Sequence, residues 1–217
     1  MTSTTSQIKK GKGIEGLFEG FTAAKPEEVK PIEVVEGRFQ EIMEKYERFL
    51  DAKITPWNDM DDERRKITDL LMPEDINKFL QITIQYEQHR QYCWRTGYFI
   101  SRLVQNSYTA GHNEFILDTT ALKEIDYLGS RLEGTKERPI ELTIKGNAGS
   151  NFGFWSKDAT FNIIGNARDY CGWGVENSTF KITNRATLKR LLNYVPKSNR
   201  VIYIHPNGAE EVIRKGS

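Results

Sequence analysis

The sequence predicts an α+β protein: an N-terminal helical region followed by a short right-handed β-solenoid, closed by a C-terminal cap and a β-hairpin. Three observations predict it. Residues 146–163 return nineteen positions later with seven of eighteen positions identical, including Gly146-Asn147-Ala148 as Gly165-Asn166-Ala167 and Thr160-Phe161-x-Ile163 as Thr179-Phe180-x-Ile182. A fixed period near twenty marks stacked coils, each too small to bury its own core. Before the repeat, residues 34–110 place apolar residues three and four apart, the spacing of amphipathic helices. After it, His205-Pro206-Asn207-Gly208 separates two apolar runs, and Asn-Gly suits a tight hairpin turn.

In chain order, residues 1–33 read as a flexible tail. Lys9, Lys10 and Lys12 stand among glycines, and Ile14, Leu17, Phe18 and Phe21 are isolated apolar residues. Such a segment buries too little surface to offset the entropy of ordering it alone. The helical domain, 34–110, opens with one amphipathic helix through Val34, Phe39, Ile42, Tyr46, Phe49 and Leu50 that stops before Pro56. A shorter helix follows Asp59 and runs through Ile67, Leu70 and Leu71. Pro73-Glu74-Asp75 then reads as a helix start, with proline in the first turn and acids at the positive end of the dipole. From there one helix of about thirty residues is expected, bent near Gly97, because no breaker precedes Gly111.

The second domain, 111–217, starts with a strand at 114–118. Ala121 to Leu132 suggests a short helix ending near Gly134. Pro139 to Ile144 alternates apolar and polar and leads into the repeat, where each unit is a strand, Gly-Asn-Ala, a polar turn, and a glycine beside an aromatic. Glycine suits corners of positive φ, and Asn or Asp can bond neighbouring backbone there. Phe161, Ile163, Phe180 and Ile182 are expected to fill a narrow core. Ala186 to Tyr194 suggests a capping helix, and Val201–Ile204 with Glu211–Ile213 the hairpin.

The pattern Ile-x-Gly-Asn-Ala-Gly, an aromatic beside glycine, and a strand resuming nineteen residues on resembles the glycine-repeat β-helix of the glutamate synthase C-terminal domain and of the C subunit of formylmethanofuran dehydrogenase. The resemblance covers about residues 140–184 and departs at Arg168, which stands where the first unit has Gly149. It implies a fold and a non-catalytic spacer or assembly role, and it transfers no active-site residue. Two visible coils are few for a solenoid, so caps or pairing in a homodimer are expected.

Composition excludes several classes. With 31 basic and 30 acidic residues the formal charge is +1, so no global field draws the chain to nucleic acid or lipid. No apolar run reaches the length of a membrane span, and a cytoplasmic location with no membrane partner is expected. Cys93 and Cys171 lie outside any CxxC or Cys/His spacing and read as structural thiols. His89, His112 and His205 have no metal-ligand spacing, so no metal, cofactor or catalytic residue is expected. Gly11-x-Gly13-x-x-Gly16 matches a dinucleotide fingerprint in letters only, without the strand and βαβ unit it requires. Asp59, Asp61, Asp62 and Glu63 followed by Arg64, Arg65 and Lys66 read as a solvated helix start.

Two features point to partner binding. Arg90, Arg95 and Arg102 alternate with Tyr92, Trp94 and Tyr98, a mixture suited to phosphate contact and stacking. Lys9, Lys10, Lys12, Ile14, Leu17, Phe18 and Phe21 form a basic tail with apolar anchors able to fold on contact. The expectation is a non-enzymatic binding and assembly protein, homodimeric, gripping a large protein or ribonucleoprotein partner such as a ribosomal subunit. In organisation alone it is similar to ribosome-hibernation or dimerisation factors. The alternative is an accessory subunit of a multisubunit oxidoreductase or amidotransferase.

Overall fold

Helix α1 (Arg38–Asp51) buries Phe39, Ile42, Tyr46, Phe49 and Leu50 along one stripe, as their spacing requires. Tyr46 is the pivot of the helical half in the computed structural model, which describes residues 38–53 and 59–216. Its ring meets Phe79 at 5.7 Å and Phe99 at 5.1 Å, both edge-on, a preferred aromatic arrangement. Its hydroxyl shares a 2.6 Å hydrogen bond with Thr96. Those partners belong to α3 (Pro73–Ile82) and α4 (Tyr92–Thr109). The predicted tail of residues 1–33 lies outside the described residues.

The expected thirty-residue helix is two helices. It breaks at 83–91, through a 3₁₀ turn at Thr83–Tyr86, and not at Gly97. Ile82, Thr83 and Ile84 are consecutive β-branched residues, which lose side-chain freedom in a helix. The Thr83 hydroxyl also donates to the Leu80 carbonyl at 2.7 Å, a local bond that competes with helix continuation. Gly97 serves a different purpose. A Cβ there would lie 1.8 Å from the Asp126 carbonyl oxygen, so its absence lets the following chain pass against α4.

Helix α2 (Asp59–Arg65) is shorter than expected. Ile67 and Leu71 are buried in irregular chain beyond it. That chain is held by α4: the Asn106 side-chain amide donates to the Ile67 and Asp69 carbonyls at 3.0 and 2.9 Å.

Six strands form one mixed sheet in the order β1-β2-β3-β4-β5-β6: β1 (Glu114–Asp118), β2 (Ile140–Ala148), β3 (Ala159–Ala167), β4 (Thr179–Ile182), β5 (Arg200–Ile204) and β6 (Glu210–Arg214). The first five are parallel and only β6 runs back. The written repeat is the β2–β3 register itself: Leu142 faces Phe161, Ile144 Ile163, Gly146 Gly165 and Ala148 Ala167. Phe161, Ile163, Phe180 and Ile182 are fully buried, as expected.

The helix expected at 121–132 is absent. Tyr127, Gly129 and Arg131 adopt φ of 58°, 71° and 52°. The same left-handed corners recur at Asn151, Gly153 and Trp155, with φ of 58°, 69° and 53°, and at Tyr170, Gly172 and Gly174, with 58°, 72° and 71°. Parallel bridges link Glu133 to Lys157 and Lys157 to Glu176 along this second edge. Residues 114–134 therefore repeat the strand-and-corner pattern of the written units, a further copy in backbone geometry. Leu122, Ile125, Leu128 and Leu132 imitate a helical stripe, yet each is a core-facing residue of this copy.

Helix α5 (Arg185–Tyr194) starts at Asn184, whose side chain accepts from Ala186 N at 2.8 Å and Thr187 N at 3.1 Å, an N-cap of the favoured type. The hairpin closes through Gly208, φ 83°, after a turn in which Gly208 N donates to the His205 carbonyl at 2.8 Å. Asn207 keeps negative φ, so only the glycine takes the left-handed position. Helices and sheet share one continuous buried cluster, and among the described residues no helix is long and apolar enough to cross a membrane.

Candidate arginine cleft

The further copy at 114–134 has a consequence for chemistry. Its last left-handed corner carries Arg131, and the matching corner of the next copy carries Trp155. Facing them are Arg64 and Arg65 from α2 and Arg102 and Gln105 from α4. Together with Asp61, Thr109 and Glu133 these residues line a cleft of about 440 Å³.

Arg64 is the deepest of them, 8% exposed. Its Nη2 donates to the Arg131 carbonyl at 2.9 Å and more weakly to that of Ser130 at 3.4 Å. Burial lowers its pKa to about 10, helped by the positive charges of Arg102 and Arg131 and opposed by Asp61. Arg131 pairs with Asp61 at 2.8 Å, and its guanidinium lies 5.4 Å from the centre of the Trp155 ring, within cation–π range. The Nε atoms of both Arg64 and Arg131 are buried without a partner among the described residues. Buried donors are rarely left so. Gln105 and Glu133 brace the wall, the Glu133 N–H donating to the Gln105 side chain at 2.7 Å and the Gln105 amide donating back to the Glu133 carbonyl at 3.2 Å.

Trp155 is 56% exposed but not loose. Phe154 stacks against it at 5.5 Å and 15°. Gly174 seats its edge, since a Cβ there would fall 2.1 Å from Trp155 Cδ1.

No family model, curated protein or solved structure matches the chain. The cleft therefore rests on its own geometry.

Of the residues expected to bind a partner, Arg102 lines the cleft. Arg95 does not face a partner: it is 3% exposed, and its guanidinium donates to the Phe49, Leu50 and Ala52 carbonyls at 2.6, 2.6 and 2.7 Å. It satisfies the last carbonyls of α1, which a helix terminus leaves open. Arg90 is exposed in the turn before α4, outside the cleft lining. Tyr92 and Tyr98 are core residues, and Trp94 is half-buried. Lys9, Lys10, Lys12, Ile14, Leu17, Phe18 and Phe21 lie outside the described residues.

Arg64, Arg65, Arg131 and Trp155 went unrecognised in sequence. Arg64 looked like part of a solvated helix end, yet it is buried against the corner at 130–131. One signal was available: Asp126-Tyr127-x-Gly129 returns as Asp169-Tyr170-x-Gly172, which aligns Arg131 with the corner at Gly174. Elsewhere, burial raises the pKa of both Cys93 and Cys171, so neither thiol is activated. His89 and His205 pair with Asp51 and Glu211 at 3.1 and 3.0 Å. Among the described residues no group of acids, histidines and cysteines could hold a metal.

Proposed function

We propose that the chain is a non-enzymatic binding and assembly protein in which a short right-handed β-solenoid, from β1 to β5, presents the arginine cleft to a ribonucleoprotein partner such as a ribosomal subunit. Five parallel strands in chain order, with corners of the same φ on their second edge, support the solenoid. Right-handedness follows from the strong preference of parallel crossovers. The observation that carries the functional reading is the convergence of Arg64, Arg65, Arg102 and Arg131 on one concave surface beside an exposed indole. Guanidinium forks match phosphate oxygens, and aromatic rings accept bases.

The five strands supply the coils that the written repeat lacked, so pairing is not needed to complete the core. Self-association is proposed instead through the sheet edge at β6, where Val212 and Ile213 are exposed and edge backbone can pair with a second copy.

Sedimentation of the full chain with ribosomal particles tests the reading. Co-migration is expected at low salt and release at high salt, since displaced counterions make phosphate contacts salt-dependent. Arg102→Ala with Arg131→Ala should abolish co-migration. A wild-type chain that stays at the top of the gradient at low salt rejects the ribosomal partner.

A further inference from the structure

We infer that the arginine cleft receives one nucleotide unit, with its phosphate among Arg64, Arg102 and Arg131 and its base on the indole of Trp155. This rests on the reading of the cleft as an anion-binding site and names the ligand.

Three observations carry it. First, two arginines that line the cleft, Arg64 and Arg131, each keep a buried Nε donor with no partner among the described residues. Nε and a neighbouring Nη form the fork that grips two oxygens of a phosphate. Second, Arg64 stands in the repulsive field of Arg102 and Arg131, and a dianion relieves that repulsion better than a single carboxylate. A terminal phosphate monoester is largely dianionic at neutral pH, whereas a phosphodiester within a strand carries a single charge. Third, the cleft is far larger than one phosphate. Its volume of about 440 Å³ falls in the range of roughly 300–1,000 Å³ typical of small-molecule sites, and its open rim is an aromatic ring held in place by Phe154 and Gly174.

The acids in the cleft set the terms of binding. Asp61 already holds Arg131 at 2.8 Å, so an incoming phosphate competes with that carboxylate. Glu133 also lines the cleft.

The nucleotide could be free or part of a single strand, and the aromatic row beyond Trp155 bears on this. Phe154 is 5.5 Å from Trp173, and Trp173 is 6.4 Å from Tyr170. Trp173 and Tyr170 are 50% and 51% exposed, so neighbouring bases of a strand would find further rings.

Calorimetric titration of the full chain with AMP, inorganic phosphate, single-stranded hexaadenylate and hexaglutamate tests the inference. AMP should bind at least about tenfold more tightly than inorganic phosphate, the gain expected from one stacked base. Trp155→Ala should erase that difference, and Trp155→Phe, which keeps a ring, should retain it. Both changes fall on an exposed rim, and unchanged circular dichroism will show that folding is intact. Arg102→Ala with Arg131→Ala should lose both ligands, and Asp61→Asn should tighten both.

Equal affinity for AMP and phosphate, a Trp155→Ala variant that keeps the preference, or hexaglutamate binding as tightly as AMP each overturns the inference. Hexaadenylate that exceeds AMP, with the excess lost in Tyr170→Ala and Trp173→Ala, assigns the unit to a strand. Equal affinity of the two assigns it to a free nucleotide. If AMP and hexaadenylate fail while low-salt co-sedimentation with ribosomal particles persists, the nucleotide pocket is wrong and the partner stands. The reverse result sinks the partner and leaves the pocket.

Discussion

The copies at 140–158 and 159–177 and the copy at 114–134 share corner geometry but almost no sequence. In the two overt copies, Gly146 and Gly165 stack so closely that a Cβ on Gly165 would fall 1.9 Å from the Gly146 carbonyl oxygen. Such positions tolerate no side chain, and their letters persist. The left-handed corners further along carry side chains: Tyr127 and Arg131 in the hidden copy, at φ of 58° and 52°, match Asn151 and Trp155, and then Tyr170 and Gly174, in the overt ones. A non-glycine residue there is strained, by about 1–2 kcal/mol. Arg131, like Trp155 at φ 53° in the following copy, lines the cleft. Strained backbone tends to gather at functional sites. The copies thus divide between residues dictated by stacking and residues that the stack carries outward.

Five substitutions would break or sharpen that division. The largest effect belongs to Gly165→Ala, which meets backbone and requires φ of +147°; a loss above about 4 kcal/mol, or failure to fold, is expected in urea denaturation. A near-neutral result would mean the copies do not stack as closely as described.

Next come matched core truncations. Phe161→Ala removes a fully buried ring stacked 5.1 Å from Phe180 and should cost about 3–5 kcal/mol. Leu128→Ala, fully buried in the hidden copy, should cost about 2–5 kcal/mol. A cost under about 1 kcal/mol at Leu128 would deny residues 114–134 a place in the shared core.

Arg131→Gly isolates the strained corner. Relief of strain, worth about 1–2 kcal/mol, opposes loss of the part-exposed Asp61 ion pair, worth about 0–1 kcal/mol. Stability should therefore hold or rise while phosphate binding falls. A clear loss of stability would make Arg131 a structural residue.

The smallest effect is a pH dependence at Asp126, the acid of the hidden Asp-Tyr-x-Gly. Burial raises its pKa above the ordinary 3.8, against the Ser150 N–H that it accepts at 2.7 Å. With the folded value raised, the folded state holds a proton that the unfolded chain has already released, so stability falls as pH climbs above about 3.8. Asp126→Asn keeps the acceptor and removes the charge. It should match wild type in acid and exceed it at neutral pH, as melting curves at both will report. The opposite order would place Asp126 in a stabilising charge network.

Much of the fold was legible because local rules agreed with tertiary ones. Phe39 to Leu50 reads as a helix and is one, Asn184 caps where a capping residue should, and the hairpin closes at Asn207-Gly208. The thirty-residue helix misled because propensity gave no weight to the Thr83 hydroxyl bond. The false helix at 121–132 arose because Leu122, Ile125, Leu128 and Leu132 fall at helical intervals, while the chain between them turns at Tyr127, Gly129 and Arg131. Of the cleft, only Arg102 was legible, since the other walls come from chain segments far apart in sequence.

By itself the sequence determined the periods: amphipathic stripes that must bury one face, and a nineteen-residue spacing that sets the β2–β3 register. These are local consequences of covalent geometry and side-chain size. Tertiary structure alone decided that Arg95 turns inward to satisfy the end of α1, that Gly97 gives way to the Asp126 carbonyl, and that Arg64, Arg102 and Arg131 meet around one cleft. Each of those outcomes depends on which distant backbone group arrives beside a side chain, and no spacing along the chain encodes that distance.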